Sequence, residues 1–296
     1  MSTTFDERTA WDLVRAVPPG LGGQSSHYLY HESSPDVGLQ VWSTGRWRLA
    51  PAAPDAPAPP MPTDAARDVL DVFLPLQVRS TLVIGQLGQS LDGRIATASG
   101  QSHYVTGAAD IRRLHRLRAL VDAVVVGAGT VASDDPRLSV REVEGSDPVR
   151  VVLDPRRRLA PAHHVFSDGR ARTIVIHGAS ADPRDANVHD VVMLPTTASG
   201  TFDPRLVVRT LRGLGYARLL VEGGGITVSR FLQADVLDRL HITVAPLLIG
   251  SGRAAITLLP IESLEHAIRP ACRHFRLGED VLFDLDLRSP APSPSA

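Results

Sequence analysis

Cysteine is almost missing from this chain of 296 residues, where Cys272 stands alone. A single thiol forms no internal disulfide, no C-x-x-C pair and no thiolate cluster for zinc. The histidines are scattered, with His163–His164 the only adjacent pair, so no metal site is expected. G-x-S-x-G is also absent, which removes one common serine-nucleophile turn. Charge of either sign is not in excess: 31 basic and 32 acidic residues leave a net charge of −1. That balance gives no electrostatic footprint for nucleic acid or an anionic membrane. No apolar run approaches the roughly 20 residues needed to cross a bilayer. The start, MSTTFDERTAWDLV, lacks the basic-then-apolar layout of a secretion signal. The expectation is a cytoplasmic protein with neither membrane nor nucleic-acid partners.

What is present is an ordinary globular composition, 43% hydrophobic and 21% charged. Its length suits one large domain, or one domain with an appendage. The run PAAPDAPAPPMP (51–62) reads as a semi-rigid linker, because proline cannot donate to a ladder. Residues 1–50 hold all three tryptophans, Trp11, Trp42 and Trp47. Disordered tails are poor in aromatics, so this extension is expected to fold, in a role the sequence does not reveal. A main domain is expected over 63–288, opening with a short helix capped by Thr63 and Asp64. The last stretch, 289–296, is rich in proline and serine and reads as a disordered tail.

From Ser80 onward, short β-rich runs alternate with helical patterns. TLVIGQL, DAVVVGAG, VRVVLD, RTIVIHG, VVMLP, ARLLVEG, LHITVAPLLIG and VLFDLDL read as strands. Ala108–Leu120 and Asp203–Leu214 read as helices, the second with Asp203 as N-cap and Pro204 at the first helical position. Near-continuous apolar strands between helices predict an α/β fold, a mostly parallel central sheet with helices on both faces. Ligands of such sheets sit at the carboxyl ends of the strands.

Three loops fall at that edge. LLVEGGGITVSRFL runs from a strand through Glu222 and Gly223, Gly224 and Gly225 into a helix. Its amides suit a pyrophosphate, although a tight turn packed closely on a strand would use the same glycines. VVVGAGTVASDDPRL formally matches G-x-G-x-x-A, but the Asp134-Asp135-Pro136 break leaves room for at most one helical turn. A Rossmann assignment is therefore rejected. GQLGQSLDGRIATASGQSHYVTG carries Asp92, Ser102, His103 and Tyr104 on a long polar loop of the kind that is usually functional or disordered. Arg156, Arg157 and Arg158 form a charged turn able to clamp a phosphate.

In this order and spacing, SLDGRIA, SGQSHYVTG, HRLRALVDAVVVGAGTVASDDPRLSVR, LLVEGGGITVSRFL and ITVAPLLIGSGR resemble the pyrimidine reductase domain of riboflavin biosynthesis. The likeness covers about Ser80 to Leu287 and implies a dihydrofolate-reductase-like fold. It also implies NADPH as cofactor, with contacts at Gly88, Tyr104, Thr130, Asp134 and Gly223, Gly224, Gly225, Ile226 and Thr227. Arg156 and Arg158 would hold the 2′-phosphate, since Pro155 replaces a serine found in relatives. Substrate contacts would fall on Ser102, Arg118, Leu138, Arg141 and Glu222, and the catalytic candidates are Asp92, Asp134 and Glu222. The resemblance implies a homodimer that reduces a small phosphorylated ribosylaminopyrimidine. No H-x-E…P-C-x-x-C set is present, so deamination is expected from a separate deaminase. Two alternatives remain at this level: another NADPH reductase of this fold acting on a dihydrofolate-like substrate, or a nucleotide-binding regulator without turnover.

Overall fold

The computed structural model describes residues 4–21, 26–31, 34–51, 58–102, 105–179 and 190–290. The chain divides into two compact units, Met1–Leu82 and Val83–Ala296.

The first unit contains β1 (Thr4–Phe5), α1 (Glu7–Ala16), β2 (Ser26–His31), β3 (Ser34–Trp42), β4 (Trp47–Ala50), β5 (Met61–Pro62) and α2 (Asp64–Gln77). Strands β2, β3 and β4 form an antiparallel sheet. The Asp6 side chain caps α1 by accepting from the Thr9 amide at 2.9 Å. The Thr63 hydroxyl does the same for α2, at 3.2 Å from the Ala66 amide. The two helices share an apolar core in which Trp11 meets Phe73 edge-on, with ring centroids 5.5 Å apart. The tryptophan-bearing extension therefore has a core of its own. Two expectations change here. Helix α2 belongs with this unit because its apolar stripe packs on α1. The end of the expected linker is strand β5, paired in parallel with β1, while residues 52–57 lie outside the described residues.

The second unit is built on β6 (Leu82–Ser90), β7 (Arg94–Ala96), α3 (Ala108–Leu120), β8 (Ala123–Gly127), α4 (Ala128–Asp134), β9 (Val149–Leu153) and α5 (His164–Ser167). There follow β10 (Thr173–Gly178), β11 (Asp190–Leu194), α6 (Pro204–Gly213), β12 (Arg218–Val221) and α7 (Gly225–Gln233). The chain closes with β13 (Arg239–Ala245), β14 (Arg253–Ala254), β15 (Pro270–Leu277) and β16 (Asp280–Pro290). One sheet of nine strands runs β11-β10-β9-β8-β12-β6-β13-β16-β15. Strands β8 to β11 pair in parallel, as do β8 with β12 and β6 with β13, while β16 and β15 join antiparallel.

Helices α3 and α4 connect strands stepping one way across the sheet, and α6 and α7 connect strands stepping the other way. Right-handed crossovers then place the two pairs on opposite faces. Side-chain alternation agrees. Val125 and Val221 join one core with Val207 and Leu211 of α6 and Phe231 of α7. The alternate position Glu222 meets Arg118 of α3 instead.

The eight apolar runs read as strands all fall on strands, and α3 has the predicted bounds. Edge strand β15 gave no such signal, because only one of its faces is partly covered and its sequence, PACRHFRL, is half polar. Strand β16 reaches Pro290, two residues into the expected tail, and residues 291–296 lie outside the described residues.

Candidate active site

Gly88 of β6, Gly127 of β8, Leu153 of β9 and Glu222 after β12 stand at the carboxyl ends of neighbouring strands and line one cleft of about 1030 Å³. That is the edge where an open α/β sheet leaves room for ligands. Every predicted site residue that the structure describes lines this cleft except Asp92. Tyr104 lies outside the described residues, as does His103.

The three glycines have three different reasons. Gly223 has φ +101°, the left-handed region that favours glycine, and a Cβ there would meet the Thr130 hydroxyl at 2.8 Å. Gly225 begins α7 with its backbone against β14, where a Cβ would sit 2.1 Å from the Ala255 carbonyl oxygen. Gly224 is confined less, since its Cβ would meet one atom, the Thr130 hydroxyl, at 3.2 Å. Packing and turn geometry thus account for Gly223 and Gly225 and bear more lightly on Gly224. The Gly224 amide donates to Thr130 Oγ1 at 2.7 Å, joining the first turns of α4 and α7. Helix α4 has seven residues, longer than the single turn expected, and ends at Asp135 with φ 40°.

At the other end of the cleft, Arg118 Nε and Nη2 donate to the two Glu222 oxygens, each at 2.9 Å, and both side chains are buried. Arg118 Nη1 also donates to the Ser139 carbonyl, and Arg141 Nη1 donates to the Ser139 hydroxyl at 2.7 Å. The residue before, Leu138, is buried at φ 54°. A leucine held there costs about 1–3 kcal/mol, and here the strained backbone turns Ser139 toward both arginines. Burial, then repulsion from Arg118 and Arg137, lowers the pKa of Arg141. It nonetheless stays a cation, and it keeps donors for an anion.

Asp134 Oδ1 accepts from the Ser102 and Ser133 hydroxyls, at 3.1 and 2.9 Å. Arg156 and Arg158 are exposed on the far wall with no ion pair among the described residues. All 31 basic residues of the chain are arginines. Seven of them line the cleft against Asp110, Asp134 and Glu222, so the cleft is cationic and suits phosphate groups. Sequence reasoning missed Asp110, Arg137 and Arg253. Arg253 ends a quoted motif, and its neighbour in space, Gly100, signals the close approach of the guanidinium.

Asp92 is corrected. Its carboxylate accepts from the Ser90 hydroxyl at 2.5 Å and from the Ile249 and Gly250 amides at 3.1 and 2.6 Å. Those bonds, Ser90 first, hold its pKa down at about 2. It is ionised near neutrality and ties two loops together, so it is no proton donor.

A model of the RibD C-terminal domain family matches residues 81–283. The chain is 36% identical over 214 residues to the 2,5-diamino-6-ribosylamino-4(3H)-pyrimidinone 5′-phosphate reductase of Methanothermobacter thermautotrophicus, covering 70% of this chain and 98% of that one. It is 33% identical over 196 residues to riboflavin biosynthesis protein RibD of Aquifex aeolicus, covering 66% of this chain and 54% of that protein. Among solved structures, Acinetobacter baumannii RibD superimposes with a TM-score of 0.59 at 28% identity, covering 75% of this chain and 63% of that one. The chain thus spans nearly all of the archaeal relative and about half of the Aquifex RibD.

Beneath the cleft, His115 Nδ1 accepts from the Arg141 amide at 2.8 Å, so the neutral ring carries its proton on Nε2. Burial, then Arg118 and Arg141, pushes its pKa from 6.5 down to about 4. The folded state therefore disfavours the charged ring. The stability this gives is complete above 6.5 and is lost as pH falls from 6.5 toward 4. Melting temperatures measured across that window should decline in the wild type and decline less in His115→Gln. Equal slopes would mean that other groups set the acid sensitivity.

Proposed function

Because the chain belongs to the RibD C-terminal domain family, we propose that its cleft reduces the ribosyl group of a 5-amino-6-(5-phosphoribosylamino)pyrimidine to a ribitylamino group, with NADPH as reductant. The observation that carries this is the cationic cleft at the strand ends, where seven arginines face three carboxylates and the Glu222 carboxylate is buried against Arg118. No zinc-deaminase motif lies in this sequence, so only the reduction is assigned to it.

The residues fit a dinucleotide. Gly129 leaves open space beside Thr130, and the first turn of α7, Gly225 to Thr227, lines the cleft. Arg156 and Arg158 make no ion pair among the described residues and are available to a 2′-phosphate. A bound nicotinamide supplies hydride; the protein orients the two ligands and excludes water. Arg118 and Arg141 hold the phosphate or ring carbonyls of the pyrimidine. Glu222 keeps Arg118 in place and offers its remaining lone pairs to ring amines.

Titration of NADPH fluorescence, followed by oxidation assays with the pyrimidine phosphate and with dihydrofolate, tests the reading. Turnover of dihydrofolate alone would replace it. The double variant Arg156→Ala, Arg158→Ala should lower NADPH affinity by about tenfold or more while sparing NADH. An unchanged preference would assign the 2′-phosphate to other groups. Glu222→Gln preserves size but sets an amide against the Arg118 guanidinium. We expect kcat/KM for the pyrimidine to fall about tenfold or more with NADPH affinity nearly unchanged. Lost NADPH affinity with intact pyrimidine affinity would reverse that assignment.

We also propose a cytoplasmic homodimer. Leu248, Leu259, Leu264 and Ile268 are between 55% and 77% exposed within one segment, more apolar surface than a monomer usually displays. Among the described residues no helix is long and apolar enough to cross a membrane. Light scattering should give twice the chain mass; a monomer across working concentrations would remove the dimer.

A further inference from the structure

The proposed reduction needs a group that takes and returns a proton beside the carbon being reduced. Glu222 has both oxygens engaged by Arg118, Asp92 lies outside the cleft, and Asp134 Oδ1 already accepts from the Ser102 and Ser133 hydroxyls. Another carboxylate fits better. Asp110, on the first turn of α3, lines the cleft while being only 2% exposed. Its Oδ1 is fixed from two sides. Arg113 donates from Nε at 2.8 Å, with its Nη2 2.7 Å away in the ion pair, and the Thr243 hydroxyl donates at 2.7 Å. No hydrogen bond reaches Oδ2 among the described residues.

The space above that oxygen is kept open by a glycine. A Cβ at Gly88 would stand 3.7 Å from Asp110 Oδ2 and 2.8 Å from the Thr106 methyl. The anchor behind it is also rigid. Arg113 Nη2 donates to Gln86 Oε1 at 2.7 Å, and its Nη1 donates to His241 Nδ1 at 3.0 Å. That fixes the buried His241 ring with its proton on Nε2, facing Asp284 Oδ1 at 3.1 Å. A buried carboxylate with one oxygen held and one oxygen free is built to accept from a ligand.

We propose that Asp110 is the carboxylate that exchanges a proton with the phosphoribosylamino substrate, an assignment that rests on the reductase reading. As the sugar opens, the C1′–O4′ bond breaks and C1′=N forms. O4′ takes a proton from solvent, and the N–H proton passes to Asp110 Oδ2. On reduction C1′ receives hydride from the dihydronicotinamide, the C=N electron pair returns to nitrogen, and Asp110 gives its proton back. The net demand is one hydride and one solvent proton.

The test is Asp110→Asn and Asp110→Ala beside the wild type, with kcat, KM and NADPH affinity measured for each. The expected result is a fall in kcat of about 100-fold or more, the usual scale of acid–base catalysis, with NADPH affinity changed little. Added formate should restore part of the turnover in Asp110→Ala. A wild-type kcat in Asp110→Asn overturns the assignment and leaves the reductase reading intact. Loss of stability and NADPH affinity together, without formate rescue, overturns it in favour of a structural role. If neither variant folds, Thr243→Val decides: removing one donor to Oδ1 should lower kcat with NADPH affinity kept, and an unchanged kcat overturns the assignment. A wild-type protein that binds NADPH but never oxidises it with the pyrimidine overturns the reductase reading, and this assignment with it.

Discussion

The pairing of Arg118 with Glu222 governs the architecture of the cleft. Two residues 104 positions apart meet through a pair of parallel hydrogen bonds at the end of β12, out of water. Burying either charge alone would be very costly, so the helix, the strand end and the loop at Ser139 must keep their relative places. The same constraint extends along α3. This helix buries Asp110, Arg113, His115, Arg116 and Arg118, an unusual share of polar side chains for one short element. Asp110 and Arg113 pair with each other, and hydrogen bonds to Gln86, Thr243 and Glu222 tie the helix to three strands or strand ends.

The glycine-rich turn shows two demands on one tripeptide. Gly223 is set by φ and by Thr130, and Gly225 by the carbonyls of Ala254 and Ala255. The helix start can come so close to β14 because no side chain intervenes. All three line the cleft, and Gly224 is the least confined of them. Ligand-binding turns and tightly packed turns share a sequence signature because both are solutions to close backbone approach.

An all-arginine basic set has its own consequence. Guanidinium groups stay charged near neutral pH and present planar forks, so buried pairs and phosphate sites draw on the same residue type. In this cleft Arg118 already donates to Glu222 and to the Ser139 carbonyl, whereas Arg156 and Arg158 make no ion pair among the described residues. Sequence cannot separate the two groups, since the difference lies in what each fork meets.

The amino-acid sequence by itself determined eight strands of the large sheet, the bounds of α3, those of α6 to within a residue at each end, and the strand–glycine–helix turn. These depend on local periodicity, capping and the conformational range of single residues. It also marked most of the cleft, because carboxyl ends of buried strands converge in any sheet of this kind. Only the tertiary structure decided that Asp92 ties loops together, that Asp110 faces the cleft, that α2 joins the N-terminal unit, and that β15 closes the sheet. Those outcomes turn on partners distant in the chain, and a polar side chain acquires its role from the group it meets. Apolar patterns are written locally, whereas the satisfaction of a buried charge is settled only when the chain is folded.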